Sequence, residues 1–146
     1  MNVRILLADD KEKILEFERG RLAQTADPVE AEFLSWGSSW RPEALEHYLP
    51  QGWSFGYFGP SIMGYILAQP YLFHRALAQT LWIEQLTYES PEIGQALIDT
   101  VYRWARDKHF QCVLCQQSLA TQFILDEYKQ AHIVEAGYIE LRSAKF

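Results

Sequence analysis

The sequence predicts an α/β fold in which a central mixed β-sheet is flanked by helices. Apolar residues follow a period of two over 53–57, and a period near 3.6 over 91–107. The order of strand, long helix and strand over 81–88, 91–107 and 110–115 predicts two parallel strands joined by a right-handed crossover. An antiparallel hairpin precedes this unit, so we expect the sheet to be mixed.

The remaining elements are placed by caps, turns and apolar runs. Asp9 has the position of a helix N-cap, and Ser90 followed by Pro91 is a strong start for the long helix. Two short helices before the hairpin suggest a flap over a site. Beyond the crossover unit, the predicted elements are a strand over 3–7, helices over about 10–24, 27–32 and 42–50, strands over 53–58 and 62–68, a loop around His74 and Arg75, a helix over 119–128 and a closing strand over 133–142 that contains Gly137.

Composition predicts one globular domain over residues 1–146, because 49% of the residues are apolar and 22% are charged. The net charge of −6 and the scattered basic residues argue against a nucleic-acid partner. We find no signal-peptide pattern and no apolar run long enough to span a membrane, so a cytoplasmic protein is expected.

Cysteine and histidine positions do not suggest metal chemistry. Cys112 and Cys115 lie three apart on a predicted strand and therefore point to opposite faces, which favours buried thiols over a metal or redox pair. The four histidines have no ligand spacing. No metal site is predicted.

Two segments carry a family resemblance. The opening VRILLADDKEKILEF, and LWIEQLTYESPEIGQALIDTVYRWARDKHFQCVLC in the middle of the chain, resemble the first strand and helix and the central motif of the GNAT (GCN5-related N-acetyltransferase) superfamily. The order of elements is similar along the whole chain. The resemblance implies a GNAT-like acyl-CoA N-acyltransferase fold, with acetyl-CoA as co-substrate and an amine as acceptor.

The resemblance also implies roles for three residues of one strand. Glu84, in WIEQLTY, matches a glutamate of polyamine-type members and would be the general base that deprotonates the amine. Leu86 and Tyr88 stand where backbone N–H groups would hold the pantetheine arm and polarise the acetyl carbonyl.

The cofactor loop departs from the family pattern. In the family it reads Arg/Gln-x-x-Gly-x-Gly/Ala, and its N–H groups cradle the pyrophosphate. Here the segment 89–94 has Glu89 at the basic position and Glu92 at the first glycine, and Pro91 lacks an N–H. The resemblance implies contacts to the pyrophosphate from the start of the following helix, at Ser90, Ile93, Gly94 and Gln95. Acetyl-CoA could bind weakly, bind with shifted phosphates, or not bind.

The last helix has a partial match. Gln117 stands near an asparagine that contacts the cofactor in the family, and Ala120 stands near its alanine. The tyrosine that protonates the leaving thiolate falls on Ile124. Tyr128, one turn later, is the substitute acid.

Two functions are therefore open. The first is acetyl transfer to a small-molecule amine or a peptide amine, and the second is a non-catalytic GNAT-like binding or regulatory module. A homodimer is compatible with either. A basic residue that reaches the phosphate site would favour the enzyme, and Arg75, Arg103 and Lys129 are the sequence candidates.

Overall fold

A seven-stranded mixed sheet forms the centre of the protein. The computed structural model describes residues 2–25, 27–74, 77–135 and 137–143. Within them the strands are β1 (Val3–Ile5), β2 (Phe55–Phe58), β3 (Ile62–His74), β4 (Leu77–Tyr88), β5 (Cys112–Gln116), β6 (Ala131–Val134) and β7 (Tyr138–Arg142). Their order in the sheet is β1-β2-β3-β4-β5-β7-β6. Only the β4–β5 pair of this sheet is parallel, which confirms the predicted mixed sheet.

Helices lie on both faces of the sheet. In the described residues they are α1 (Lys11–Thr25), α2 (Pro28–Trp36), α3 (Pro42–Tyr48), α4 (Pro91–Asp107) and α5 (Gln122–Glu127). None of them is long and apolar enough to cross a membrane. Ile66 and Leu67 are consecutive in β3 and belong to two different apolar clusters, one containing α4 and the other containing α1 and α3. Because consecutive side chains of a strand point to opposite faces, β3 packs against α4 on one face of the sheet and against α1 and α3 on the other.

The crossover helix α4 has the predicted bounds. Ser90 has extended backbone (φ −142°, ψ 156°) at the N-cap and Pro91 follows at the first helical position, although the Ser90 side chain makes no capping hydrogen bond. Burial of an aliphatic side chain contributes about 1.5–3 kcal/mol, so a continuous buried face holds α4 to the sheet. That face consists of Ile93, Leu97, Ile98, Val101 and Ala105.

The hairpin of β3 and β4 is longer than the sequence predicts. Pairing continues to His74 opposite Leu77, where a loop was expected, and Arg75 lies outside the described residues. Pro70 reads as a strand breaker, yet it pairs with Leu81. It is tolerated because the β2 pairing of β3 ends at Ile66, so the missing N–H interrupts no ladder on that side.

The predicted closing strand over 133–142 is instead a second hairpin, β6 and β7. Glu135 (φ 46°) and Gly137 (φ 104°) have left-handed backbone and reverse the chain there. A glycine inside an apolar run signals such a turn as readily as a strand interior.

Helix ends also differ from the prediction. The predicted N-cap Asp9 lies instead inside a short 3-10 turn, Ala8–Asp10, whose N-cap is Leu7; the Asp10 carboxylate accepts the N–H of Leu7 at 2.8 Å and also bonds Arg4. The second helix runs on to Trp36 behind its N-cap Asp27, and α5 is shorter than predicted.

We expect Gly64→Ala to destabilise the protein. A Cβ at Gly64 would lie 2.7 Å from Cγ2 of Ile93 and 3.0 Å from the carbonyl oxygen of Thr87, and such overpacking costs about 1–3 kcal/mol. Gly20→Ala in α1 is the matched control, since nothing lies within 4 Å of that Cβ and the change should stabilise by about 0.5–1 kcal/mol. Urea unfolding measures both. A Gly64→Ala variant as stable as the wild type would contradict this packing.

Candidate functional site

A bulge in β4 opens a wedge between the two parallel strands. Thr80–Ile83 pair with Cys112–Cys115, but β4 continues to Tyr88 without a β5 partner. On the other side, Leu67 faces Gln85 and Ala68 faces Ile83, which leaves Glu84 as the extra residue. Bulges bend a strand and re-aim its side chains. Here the bend begins where the strands part.

Glu84 lies at this bulge with three hydrogen-bond donors. Its Oε2 accepts from Ser39 Oγ at 2.9 Å, and its Oε1 accepts from Trp82 Nε1 at 3.0 Å and from the Tyr48 hydroxyl at 3.3 Å. An ionised carboxylate has about four acceptor positions, so roughly one remains open. Because Ser39 and Tyr48 belong to the segment of α2 and α3, this segment packs directly over Glu84, where the sequence predicted a flap.

Tyr48 is held as a donor to Glu84. Burial and the neighbouring Glu84 carboxylate raise the pKa of Tyr48 to about 12. The phenol therefore stays protonated at neutral pH. Tyr48 and Trp40 are also part of the apolar cluster that contains α1 residues.

One cavity lies on the sheet face beside Glu84. This face cavity has a volume of about 420 Å³. Trp82 lines it and donates its indole N–H to Glu84. Three of its seven lining residues are aromatic, and the rings of Trp82 and Tyr138 lie 6.2 Å apart. The full lining is Gln69, Tyr71, Trp82, Leu114, Val134, Glu135 and Tyr138. Sequence reasoning missed it, because its residues come from β3, β4, β5 and the β6–β7 hairpin.

A second cavity occupies the wedge. This wedge cleft has a volume of about 660 Å³ and runs along the part of β4 that β5 leaves unpaired. Leu86 and Tyr88, the strand residues predicted to bind the cofactor, line it. Its other walls are Glu18, Arg21, Leu22, Gln24 and Thr25 of α1, Gln85 and Thr87 of β4, and Leu119 and Ala120 before α5.

Tyr88 spans the mouth of the wedge. Its hydroxyl donates to the carbonyl of Ala120 at 2.8 Å, and its ring packs against Phe123. A Cβ at Gly94 would lie 2.8 Å from this ring, so Gly94 is required for packing against Tyr88. With the ring in this position, Gly94 is buried beneath it and does not face the cleft.

The start of α4 has few backbone donors left for an anion. The N–H of Glu89 donates to Met63, and those of Ile93 and Gly94 donate to Ser90. Proline has no N–H, which leaves Ser90 and Glu92. Gln95 instead bonds Glu127 on α5 through its side chain.

The structure does not bring Tyr128 to the wedge cleft. Its hydroxyl donates to Asp99 on α4 and its ring packs on Tyr102. Ile124, at the family's tyrosine position, is buried in the core. Gln117 is exposed and its N–H donates to the carbonyl of Gly137.

Of the basic residues considered from sequence, the two that the structure describes, Arg103 and Lys129, do not line the wedge cleft either. Arg103 borders a different cavity beside Asn2 and Val3, and Lys129 is exposed beyond α5. Arg21 on α1 is the basic residue that lines the wedge cleft, and the sequence carries no local signal for it. Cys112 and Cys115 are free and buried, as predicted, and burial raises the pKa of Cys115 to about 12.

Glu18 is a buried carboxylate on the α1 wall of the wedge cleft. Its side chain is 8% exposed, and its Oε1 lies 3.4 Å from Nη1 of Arg21. Burial raises the pKa of Glu18, and Arg21 opposes this shift.

Comparison with known proteins identifies the fold. No family model and no curated protein matches the sequence. Solved structures do match: the PaiA N-acetyltransferase from Thermoplasma acidophilum in complex with coenzyme A has 15% identity and a TM-score of 0.70, covering 97% of this chain and 98% of that one. The Drosophila melanogaster polyamine N-acetyltransferase, which forms N-acetylagmatine, has 14% identity and a TM-score of 0.67, with 97% and 99% covered.

A third match carries the superfamily name. A GCN5-related N-acetyltransferase from Ralstonia eutropha JMP134 has 16% identity and a TM-score of 0.63, covering 92% of this chain and 95% of that one. A mixed sheet with a wedge between its parallel strands defines the class of fold. The chain has the GNAT N-acetyltransferase fold, as the sequence resemblance predicted.

We expect Glu18→Gln to gain stability relative to the wild type as the pH rises from 4 to 7. The folded-state pKa of Glu18 lies above the unfolded value, so its contribution is fully present below about pH 4 and is lost as the pH rises through the folded pKa. Urea unfolding at both pH values measures the difference, with the exposed Glu16→Gln as control. A difference that does not change with pH would contradict this.

Proposed function

We propose that the protein is an acetyl-CoA-dependent N-acetyltransferase that acts on a primary amine. One observation carries the proposal. The bulge residue Glu84 lies on a single strand between Trp82, which lines the face cavity, and Leu86, which lines the wedge cleft. A base at that position has an amine site on one side and a thioester site on the other.

Glu84 is the proposed base. Its carboxylate takes one proton from the ammonium group, and the freed nitrogen lone pair bonds to the acetyl carbon as the carbon–sulfur bond breaks. The nitrogen then loses its second proton, which balances the proton that the departing thiolate takes up, and Glu84 returns its own proton to solvent. Three donors hold the carboxylate in position, and one acceptor position remains for the substrate.

The open edge of β4 is the proposed oxyanion site. Past Ile83 this edge has no β5 partner, and alternate residues of a strand direct their N–H groups to the same edge. N–H groups near Leu86 and Tyr88 would then stabilise the charge that develops on the acetyl oxygen. Ser90 and Glu92, at the start of α4, would contribute backbone donors to the pyrophosphate.

We assign Tyr88, in place of Tyr128, as the acid that protonates the departing thiolate. Both hydroxyls are bonded, Tyr88 to the carbonyl of Ala120 and Tyr128 to Asp99, but Tyr88 lines the wedge cleft and Tyr128 does not. Protonation of the thiolate by Tyr88 therefore requires its hydroxyl to leave Ala120. Burial raises the pKa of Tyr88, so its phenol carries a proton at neutral pH.

A small-molecule amine is the favoured acceptor over a peptide amine. The face cavity has the volume of a small-ligand site. Tyr71, Trp82 and Tyr138 line this cavity together with Glu135, and aromatic rings and a carboxylate are the groups that bind an organic cation. Two proteins of similar structure are, by name, a polyamine and an agmatine N-acetyltransferase, which supports this class.

A non-catalytic binding module is the second candidate. The contact between Tyr88 and Ala120 spans the wedge, and Glu89 and Glu92 are exposed where a phosphate would approach. A carboxylate about 4 Å from a phosphate charge costs roughly 1 kcal/mol in water and up to about 4 kcal/mol near a protein surface.

Acetyl-CoA should raise the unfolding temperature of the wild type. Ligand at about 100 times its dissociation constant stabilises by roughly 2.7 kcal/mol, which for a chain of this size is about 5–10 °C. Differential scanning fluorimetry with free CoA and an adenine nucleotide as controls measures it. No shift at millimolar acetyl-CoA would favour the binding module.

Glu84→Gln should lower kcat for amine acetylation by about 100- to 10,000-fold and leave the affinity for acetyl-CoA unchanged. The amide oxygen still accepts from Trp82 and Tyr48, so we expect the fold to persist. The matched control is the exposed Glu16→Gln, and the assay is thiol release with a panel of small amines. A Glu84→Gln variant that retains kcat within a few-fold would remove Glu84 from the mechanism.

A further inference from the structure

The wedge cleft contains one positive charge. Among the residues that line it, Arg21 is the one cation, and it comes from α1 on the wall that faces Thr87 and Tyr88 of β4. Tyr88 lies two residues before Ser90, where α4 begins. The guanidinium therefore borders the same cleft that leads to the loop expected to hold phosphate.

Arg21 is loosely held. Nη1 lies 3.4 Å from Oε1 of Glu18, at the long end of a hydrogen bond, and the guanidinium carbon lies 5.6 Å from the ring centroid of Phe17. The side chain is 48% exposed. A guanidinium has five N–H donors in a planar fork, so a single long contact leaves most of them for a ligand.

The loop before α4 has no basic side chain that could bind a phosphate. Its side chains Glu89 and Glu92 are both exposed and acidic, and Pro91 removes a backbone donor. Arg21 is thus the group in this cleft that can offset a phosphate charge.

We propose that Arg21 pairs with a phosphate group of the ligand in the wedge cleft, in place of the basic residue that the loop lacks. The proposal rests on the proposed function, since it takes acetyl-CoA as that ligand. Guanidinium and phosphate form paired, charge-assisted hydrogen bonds, which replace the single contact to Glu18. Arg21 binds the co-substrate in this scheme and has no role in the chemical step.

The test compares acetyl-CoA with S-acetylpantetheine, which has the thioester but no phosphate. Calorimetric titration of Arg21→Gln should show acetyl-CoA binding weakened by about 10- to 100-fold, the range that follows from one charge-assisted hydrogen bond, with S-acetylpantetheine unchanged. Arg19→Gln is the matched control: it removes the same charge from the same helix, but Arg19 borders a different cavity with Trp36 and Trp40. It should leave both affinities as in the wild type.

A double variant separates the phosphate contact from an effect of Glu18. Glu18→Gln/Arg21→Gln should bind acetyl-CoA as weakly as Arg21→Gln, and recovery to the wild-type affinity would overturn the proposal, because the loss would then come from the unpaired carboxylate. Equal loss of both ligands in Arg21→Gln, or no loss of acetyl-CoA, would overturn it as well. A wild type that binds no acetyl-CoA would overturn the proposed function first, and this inference with it.

Discussion

The site depends on one departure from regular sheet geometry, the bulge at Glu84. Up to Ile83 the parallel strands β4 and β5 are joined by backbone hydrogen bonds, and beyond it β4 keeps only its antiparallel partner β3. The unpaired edge creates the wedge cleft, and the extra residue directs a carboxylate toward the flap of α2 and α3. If pairing continued to Tyr88, backbone hydrogen bonds would fill the space that a ligand requires.

The hydrogen bonds at Glu84 serve the fold and the proposed chemistry together. Ser39 and Tyr48 come from the segment that covers the sheet, so their bonds to Glu84 attach that segment to β4. The same bonds fix the orientation of the carboxylate, which a general base needs. On the opposite wall, Tyr88 packs over Gly94, and its hydroxyl donates to the carbonyl of Ala120 across the wedge. One such hydrogen bond contributes about 1 kcal/mol to stability. A ligand with many contacts in the cleft can displace a contact of that size.

Local sequence signals predicted the elements whose stability is local. The N-cap of α4, the proline at its first position and the apolar face from Ile93 to Ala105 each act within a few residues, and the predicted bounds of this helix are correct. Signals with two meanings were misread. Gly137 fits a strand or a turn until the pairing of β7 is known, and the loop expected around His74 is a continuation of the β3–β4 hairpin. Glu84, Leu86 and Tyr88 were chosen by the resemblance of one strand and stay predictions, whereas Tyr128 was chosen one turn beyond the family's tyrosine position and its hydroxyl is bonded to Asp99.

By itself the sequence determined the α/β class, the crossover of β4, α4 and β5, and the presence of a carboxylate just before an acidic loop. Tertiary structure decided which side chains share a cavity. Arg21 and Tyr88 are 67 residues apart in the chain and line one cleft, and the face cavity collects residues from five strands. The physical reason is that periodicity and caps report interactions over one or two turns or strand pairs, while a cavity is the space left when distant elements pack.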